Sequence, residues 1–183
     1  MTTQVSDLMA VLDLLDEAGI HTWVHGGWGI DALIGTQTRQ HKDIDLLVPI
    51  ESAEQLRQIF RAPEWETTKD NMPVQLAFGR RDGVAVTFDL VTLDHEGGAT
   101  QQLYEGDSWG SEFYFTPEGL SGEGTIGHRT VRCLTPELQV ETHLGYEPDD
   151  GDRRDMTLLA ERFAFPLPPP YGRGSDSSIR TPP

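Results

Sequence analysis

The apolar positions follow two periods. Val5, Leu8, Val11, Leu12 and Leu15 recur at three- and four-residue spacing, predicting a first helix with Ser6 as cap and Gly19 as stop. HTWVH, residues 21 to 25, suits a short strand, and Gly26 and Gly27 turn the chain. WGIDALI reads as a short helix ended by Gly35, TQTRQH as a polar loop, and DIDLLV as a strand closed by Pro49. Ser52 and Gln55 have the form of a capping box before a helix through Phe60. Residues 74 to 80 and 83 to 93 read as two strands joined by RRDG, a hairpin signal. From 94 to 125 the pattern dissolves into glycine and polar groups, with a short strand at EFYF. TVRCL is a further strand. Thr135 and Pro136 open a helix that stops near Gly145, and Met156, Leu159 and Phe163 mark a last helix over about 152 to 163. This mixture predicts an α/β (α+β) fold with a mixed sheet flanked by helices. Six of the 12 prolines fall between Pro166 and Pro183, which predicts one domain over 1–165 and a flexible tail over 166–183.

Strand phase sharpens the picture. Side chains alternate across a strand, so Ile44, Leu46 and Val48 share one face and Asp43, Asp45 and Leu47 the other. In GVAVTFDLVTL, Val84, Val86, Phe88 and Leu90 form an apolar face, with Asp89 opposite. If these strands are neighbours, three carboxylates converge on one side of a sheet. A like-charged pair at ~4 Å repels by roughly 4 kcal/mol at an effective dielectric near 20. Such a cluster needs a cation, and Mg2+ suits hard oxygen ligands beside phosphate. Asp43, Asp45 and Asp89 are therefore the candidate metal ligands.

The glycines supply a partner for that cation. Gly26 and Gly27 sit between a strand and a helix, where a phosphate can approach the backbone and meet free N–H groups. Arg39, His41 and Lys42 add three donors just before the aspartates, able to hold a triphosphate.

Charge and cysteine use narrow the class. Fourteen basic against 30 acidic residues leave a net charge of −16, which argues against extended nucleic-acid binding and attracts cations. No apolar run reaches the roughly 18 residues of a membrane span, and the acidic N-terminus does not resemble a signal peptide. The one cysteine, Cys133, points to a reducing compartment, so the expected location is cytoplasmic.

HGGWGIDALIGTQTRQHKDIDLLV resembles the signature of the polymerase-β-type nucleotidyltransferase superfamily, and more narrowly its small lincosamide- and aminoglycoside-modifying members. VRCLTPELQVETHLGYEPDDGDRRDMTLLAERF is similar to the C-terminal part of the lincosamide enzymes. The resemblance spans most of residues 5 to 165. It implies a nucleotidyltransferase core over about 1–95 and a C-terminal strand and helix extension over about 96–165. It further implies that Asp43 and Asp45 hold two Mg2+ ions and that Gly26 and Gly27 bind a nucleoside triphosphate, ATP first among them. Asp89 is the expected third ligand and general base, on strand phase. The expected reaction moves AMP to a hydroxyl of a small acceptor, a lincosamide or a cationic aminoglycoside, and releases pyrophosphate. Tyr104, Glu105, Asp107, Trp109, Glu112 and Tyr114 are the candidate acceptor contacts, and His143 and Tyr146 either line the nucleotide site or pack a helix. Alternatives are transfer to a protein or tRNA, and a non-catalytic nucleotide-binding member. A homodimer stays open.

Overall fold

The computed structural model describes residues 2–106 and 110–172. Helix α1, Val5–Glu17, buries Leu8, Val11, Leu12 and Leu15 as its periodicity requires. Its cap is Gln4, which forms a reciprocal box with Asp7, so Ser6 lies inside the helix instead. Strand β1, Trp23–His25, runs directly into α2, Gly26–Ile34. The two glycines are thus the first turn of the helix and not a separate turn before it. Gly35, at φ 88, ends α2 in the left-handed conformation.

Strand β2, Ile44–Pro49, leads through a 3-10 turn into α3, Ala53–Ile59. Ser52 makes no capping bond, and Gln55 donates to the carbonyl of Ala18 (2.7 Å), so the anticipated capping box is replaced by a tie between helices. Strand β3, Trp65–Asn71, has no fully buried residue and so left no apolar pattern to read. Strands β4, Gln75–Arg80, and β5, Ala85–Leu93, form the expected hairpin.

The described residues of 94–125 hold more regular structure than their composition indicates. They include β6, Ala99–Gln102, β7, Glu112–Phe115, and β8, Gly122–Ile126. Strand β9, Arg129–Cys133, pairs with β8, and helices α4, Pro136–Thr142, and α5, Asp150–Phe163, follow.

One mixed sheet runs β3-β4-β5-β2-β1-β9-β8, with β6 on the far end of β5 and β7 on β6. β2 is parallel to β5 and antiparallel to β1. One face carries Val24, Ile44, Leu46, Val48, Val86, Phe88 and Leu90, packed under α1 and α3. The other face is apolar too: Trp23, Leu47 and Val91 meet Phe113, Phe115, Leu120 and Leu138. The aspartate face therefore does not simply leave the core; it borders a second one. Burial of each such side chain stabilises the fold by about 1.5–3 kcal/mol. A third cluster joins Ile30 of α2 to Val140, Met156 and Leu159. Leu167 and Tyr171, beyond the expected end of the domain, pack on it. Cys133 is fully buried, and burial pushes its thiol up to about 12. No helix among the described residues is long and apolar enough to cross a membrane.

Candidate active site

Three central strands and the start of α2 build the site. In register, His25 of β1 faces Asp45 of β2, while Asp89 of β5 lies beside Leu47, one step along the same face. Gln75 of β4 lies beside Asp89. Alternation puts His25, Asp45, Asp89 and Gln75 on one side of the sheet.

Asp89 is held from two directions. Gln75 Nε2 donates to its Oδ1 (2.9 Å), and His25 Nε2 lies 3.1 Å from its Oδ2. His25 and Asp89 side chains are only 16% and 17% exposed. Burial pushes the Asp89 carboxyl up, but the contact and charge of His25 and the bond from Gln75 outweigh it, and the net shift is down. Burial likewise opposes a charged His25, and Asp89 and Asp45 together outweigh it, raising the imidazole. Both shifts favour the charged forms of the two side chains. His25 has no counterpart among the sequence expectations; its place at a strand end before two glycines was the only sign.

Asp45 is shifted the other way. Burial raises its carboxyl first; His25 lowers it, and Asp43 and Asp89 raise it further, so it stands well above the ordinary carboxylate range. Gly26, at φ +58, passes directly beneath it, and a Cβ there would stand 2.7 Å from Asp45 Oδ2. Asp43 precedes β2 and is exposed. Among the described residues no three His, Cys, Asp or Glu side chains form a ready metal cluster. In kind the donors fit a hard divalent cation: Asp43 and Asp45 offer free carboxylate oxygens, and their mutual repulsion favours one. Asp89 fits less well, because its two oxygens already serve Gln75 and His25.

The loop before β2 is pinned by carboxylates that the sequence did not single out. Asp31 of α2, 1% exposed, accepts from Thr38 N and Oγ1 (3.0 and 2.6 Å) and contacts His41 Nε2 (2.5 Å). Asp155 of α5 receives Arg39 through Nε (3.1 and 3.0 Å) and Nη2 (2.6 Å). A lone aspartate within an apolar helix is the signal that would have found Asp31. His41 is buried against Trp28, with ring centroids 4.5 Å apart, and braces the loop instead of standing free as a donor. A Cβ on Gly27 would strike its ring, 2.3 Å from Nδ1. Arg39 and Lys42 remain on the rim.

Two cavities of about 470 and 480 Å3 meet at Gly26, Asp45, His143 and Tyr146. The second holds Gly27, Arg39, Lys42 and Asp43, with Asp149 and Asp152 from the start of α5. The first holds Asp89 and Gln101 with an apolar wall of Leu103, Phe113 and Phe115. Of the expected acceptor contacts, Tyr114 and Glu112 alternate with Phe113 and Phe115 and face away, Tyr114 donating to Asp94 Oδ2 (2.8 Å). Tyr104 and Glu105 are exposed outside both cavities, Tyr104 lying beside Lys69 and Gln75. Asp107 and Trp109 lie outside the described residues. His143 donates from Nδ1 to the Gln139 carbonyl (2.6 Å), which leaves Nε2 as its acceptor.

Comparison with known proteins gives the family. The model of the aminoglycoside-2''-adenylyltransferase family matches residues 7–159. A lincosamide resistance protein of Staphylococcus haemolyticus is 26% identical over 153 residues, covering 84% of this chain and 92% of its own. A 2''-aminoglycoside nucleotidyltransferase of Escherichia coli is 33% identical over 151 residues, covering 79% and 75%. The lincomycin-bound lincosamide adenylyltransferase LnuA has a TM-score of 0.77 at 25% identity, over 87% of this chain and 98% of that one. The fold is also that of ANT(2'')-Ia in complex with adenylyl-2''-tobramycin, with a TM-score of 0.66 at 23% identity over 88% and 90%. The chain therefore belongs to the aminoglycoside-2''-adenylyltransferase family and is a small antibiotic nucleotidyltransferase.

Proposed function

We propose that this enzyme transfers a nucleoside monophosphate, AMP first among the candidates, from its triphosphate to a hydroxyl of a lincosamide-like acceptor. One observation carries the reading: Asp45 stands where a cavity with glycines and basic residues meets a cavity with Asp89 and an apolar wall. The triphosphate enters the first of these. Gly26 and Gly27 let it approach the start of α2, whose N–H groups face anionic oxygen. Arg39 and Lys42 bring positive charge to its outer phosphates. Mg2+, held by Asp43 and Asp45, would supply charge neutralisation at the phosphate oxygens.

The acceptor enters the other cavity. Asp89, kept ionised by His25 and Gln75, takes the proton as the acceptor oxygen bonds to the α-phosphorus. The bond from that phosphorus to the bridging oxygen breaks, and pyrophosphate leaves. Leu103, Phe113 and Phe115 favour an acceptor with an apolar part beside its hydroxyl. A second reading, an aminoglycoside, draws on the net charge of −16. A triphosphate co-substrate and a sole cysteine favour the cytoplasm as the place of reaction.

Pyrophosphate release, measured with Mg2+ and each nucleoside triphosphate against lincosamides and aminoglycosides, tests this. Release with lincosamides is expected; Asp45→Asn brings it to background, and Asp89→Asn lowers it about 10²–10⁴-fold. Preference for aminoglycosides replaces the acceptor, and no release with any member of the panel overturns the reading.

A further inference from the structure

Residues beyond α5 turn back across the molecule. Leu167 and Tyr171 join the cluster of Ile30, Val140, Met156 and Leu159, so the chain crosses α2, α4 and α5. The turn is closed by bonds from the N–H groups of Tyr171 and Gly172 to the Pro168 carbonyl, both 3.0 Å. Arg153 Nη1 of α5 donates to the Pro170 carbonyl (3.2 Å). This stretch lies past residue 159, where the family match stops.

Its end reaches the junction of the two cavities. Tyr171 hydroxyl donates to the His143 carbonyl (2.6 Å). Burial, with Asp152 and Tyr171 close by, raises the Tyr146 phenol above its ordinary value, which places Tyr146 beside Tyr171. His143 and Tyr146 belong to the short connection after α4, and both line both cavities. The connection has little regular structure of its own to fix it: α4 is seven residues long and ends at Thr142, and α5 begins only at Asp150. The Tyr171 hydroxyl thus ties the wall shared by the two cavities to a packed strap.

We propose that residues 165–171 are a positioning strap and that Tyr171, through the His143 carbonyl and Tyr146, sets the wall on which both substrates bind. This extends the two-cavity reading and rests on it. Tyr171 touches neither cavity and is a positioning residue, not a catalytic one. The strap orders the 143–146 connection before either substrate arrives, which reduces the ordering each must supply on binding.

Tyr171→Phe removes the hydroxyl and keeps the packed ring. Two readouts are compared with wild type. The first is hydrogen exchange of a peptide covering 143–146, which reads the connection without any substrate. The second is the Kd for ATP with Mg2+, together with the KM and kcat for whichever acceptor the panel selects. Exchange over 143–146 speeds up by about fivefold, the factor for loss of one hydrogen bond of ordinary net strength. The Kd and both KM values rise by about threefold to tenfold, kcat changes less, and the thermal midpoint stays within a few degrees. Tyr171→Ala, which also removes the ring, shows the same pattern with larger effects. Unchanged exchange and unchanged affinities in Tyr171→Phe overturn the proposal. A lowered midpoint with unchanged affinities also overturns it, reducing the strap to a structural brace. If wild type binds no nucleotide, the proposed function fails, and the exchange readout alone still decides whether Tyr171 orders the connection.

Discussion

Asp45 and Gly26 are the smallest unit of this site. The carboxylate rests on a glycine whose φ is +58, so both the conformation and the space exclude a side chain. Gly26→Ala places a methyl 2.7 Å from Asp45 Oδ2 and strains the start of α2. The left-handed conformation alone costs about 1–2 kcal/mol. The variant is expected to melt a few degrees lower and to lose pyrophosphate release far beyond what that destabilisation explains. Calorimetry and the release assay on one preparation check this, and wild-type turnover in a folded Gly26→Ala enzyme would falsify the contact. At this scale strand phase was informative for Asp45 and Asp89, which lie on one side of the sheet, while Asp43 precedes β2 and Gly26 and Gly27 begin α2 instead of turning the chain before it. His25, Asp31 and Asp155 were not legible, because a carboxylate's or imidazole's partner lies across the fold. Asp155 is 116 positions from the Arg39 it holds.

At the scale of elements, the strong periods gave helices α1 and α5 and the β4–β5 hairpin. Strands β3, β6 and β8 escaped because they are edge or lightly buried strands with no clean alternation. The phase of β7 separates the expected acceptor contacts from the cavity: Phe113 and Phe115 line it, while Glu112 and Tyr114 lie on the other face of the strand. Helix α4 carries an unexplained cost. Gln139 is fully buried and neither amide atom has a partner among the described residues. Each buried polar group without a partner costs about 1–3 kcal/mol. Gln139→Met, of similar length, is therefore expected to raise the urea midpoint by the equivalent of about 1 kcal/mol. A lower midpoint would mean that the amide is bonded to ordered water.

For the whole molecule, charge and pH set the working range. Burial lowers the His143 imidazole below its ordinary value, ahead of the bond to Gln139, which raises it. The folded state therefore takes up this proton less readily than the unfolded chain does. Its contribution to stability is fully present above about pH 6.5, the unfolded value, and is lost as pH falls below it. Comparing unfolding free energies of wild type and His143→Gln isolates this group from Asp45 and His25, whose shifts have the opposite sign. The advantage of wild type should shrink between roughly pH 7.5 and roughly pH 5.5, and an advantage that grows over that interval would show a charged His143 in the folded protein.

The buried thiol of Cys133 has a practical consequence. It is the sole cysteine of the chain, it sits fully inside the sheet, and its thiolate is suppressed at neutral pH. Alkylating and dye reagents attack thiolates, so the native protein offers them almost nothing. A cysteine introduced on the exposed part of the rim can then carry a fluorophore at a single known position, with no native residue removed first. The enzyme is in effect supplied blank for spectroscopic labelling, and the opening or closing of the cavity junction can be followed in an otherwise unaltered chain.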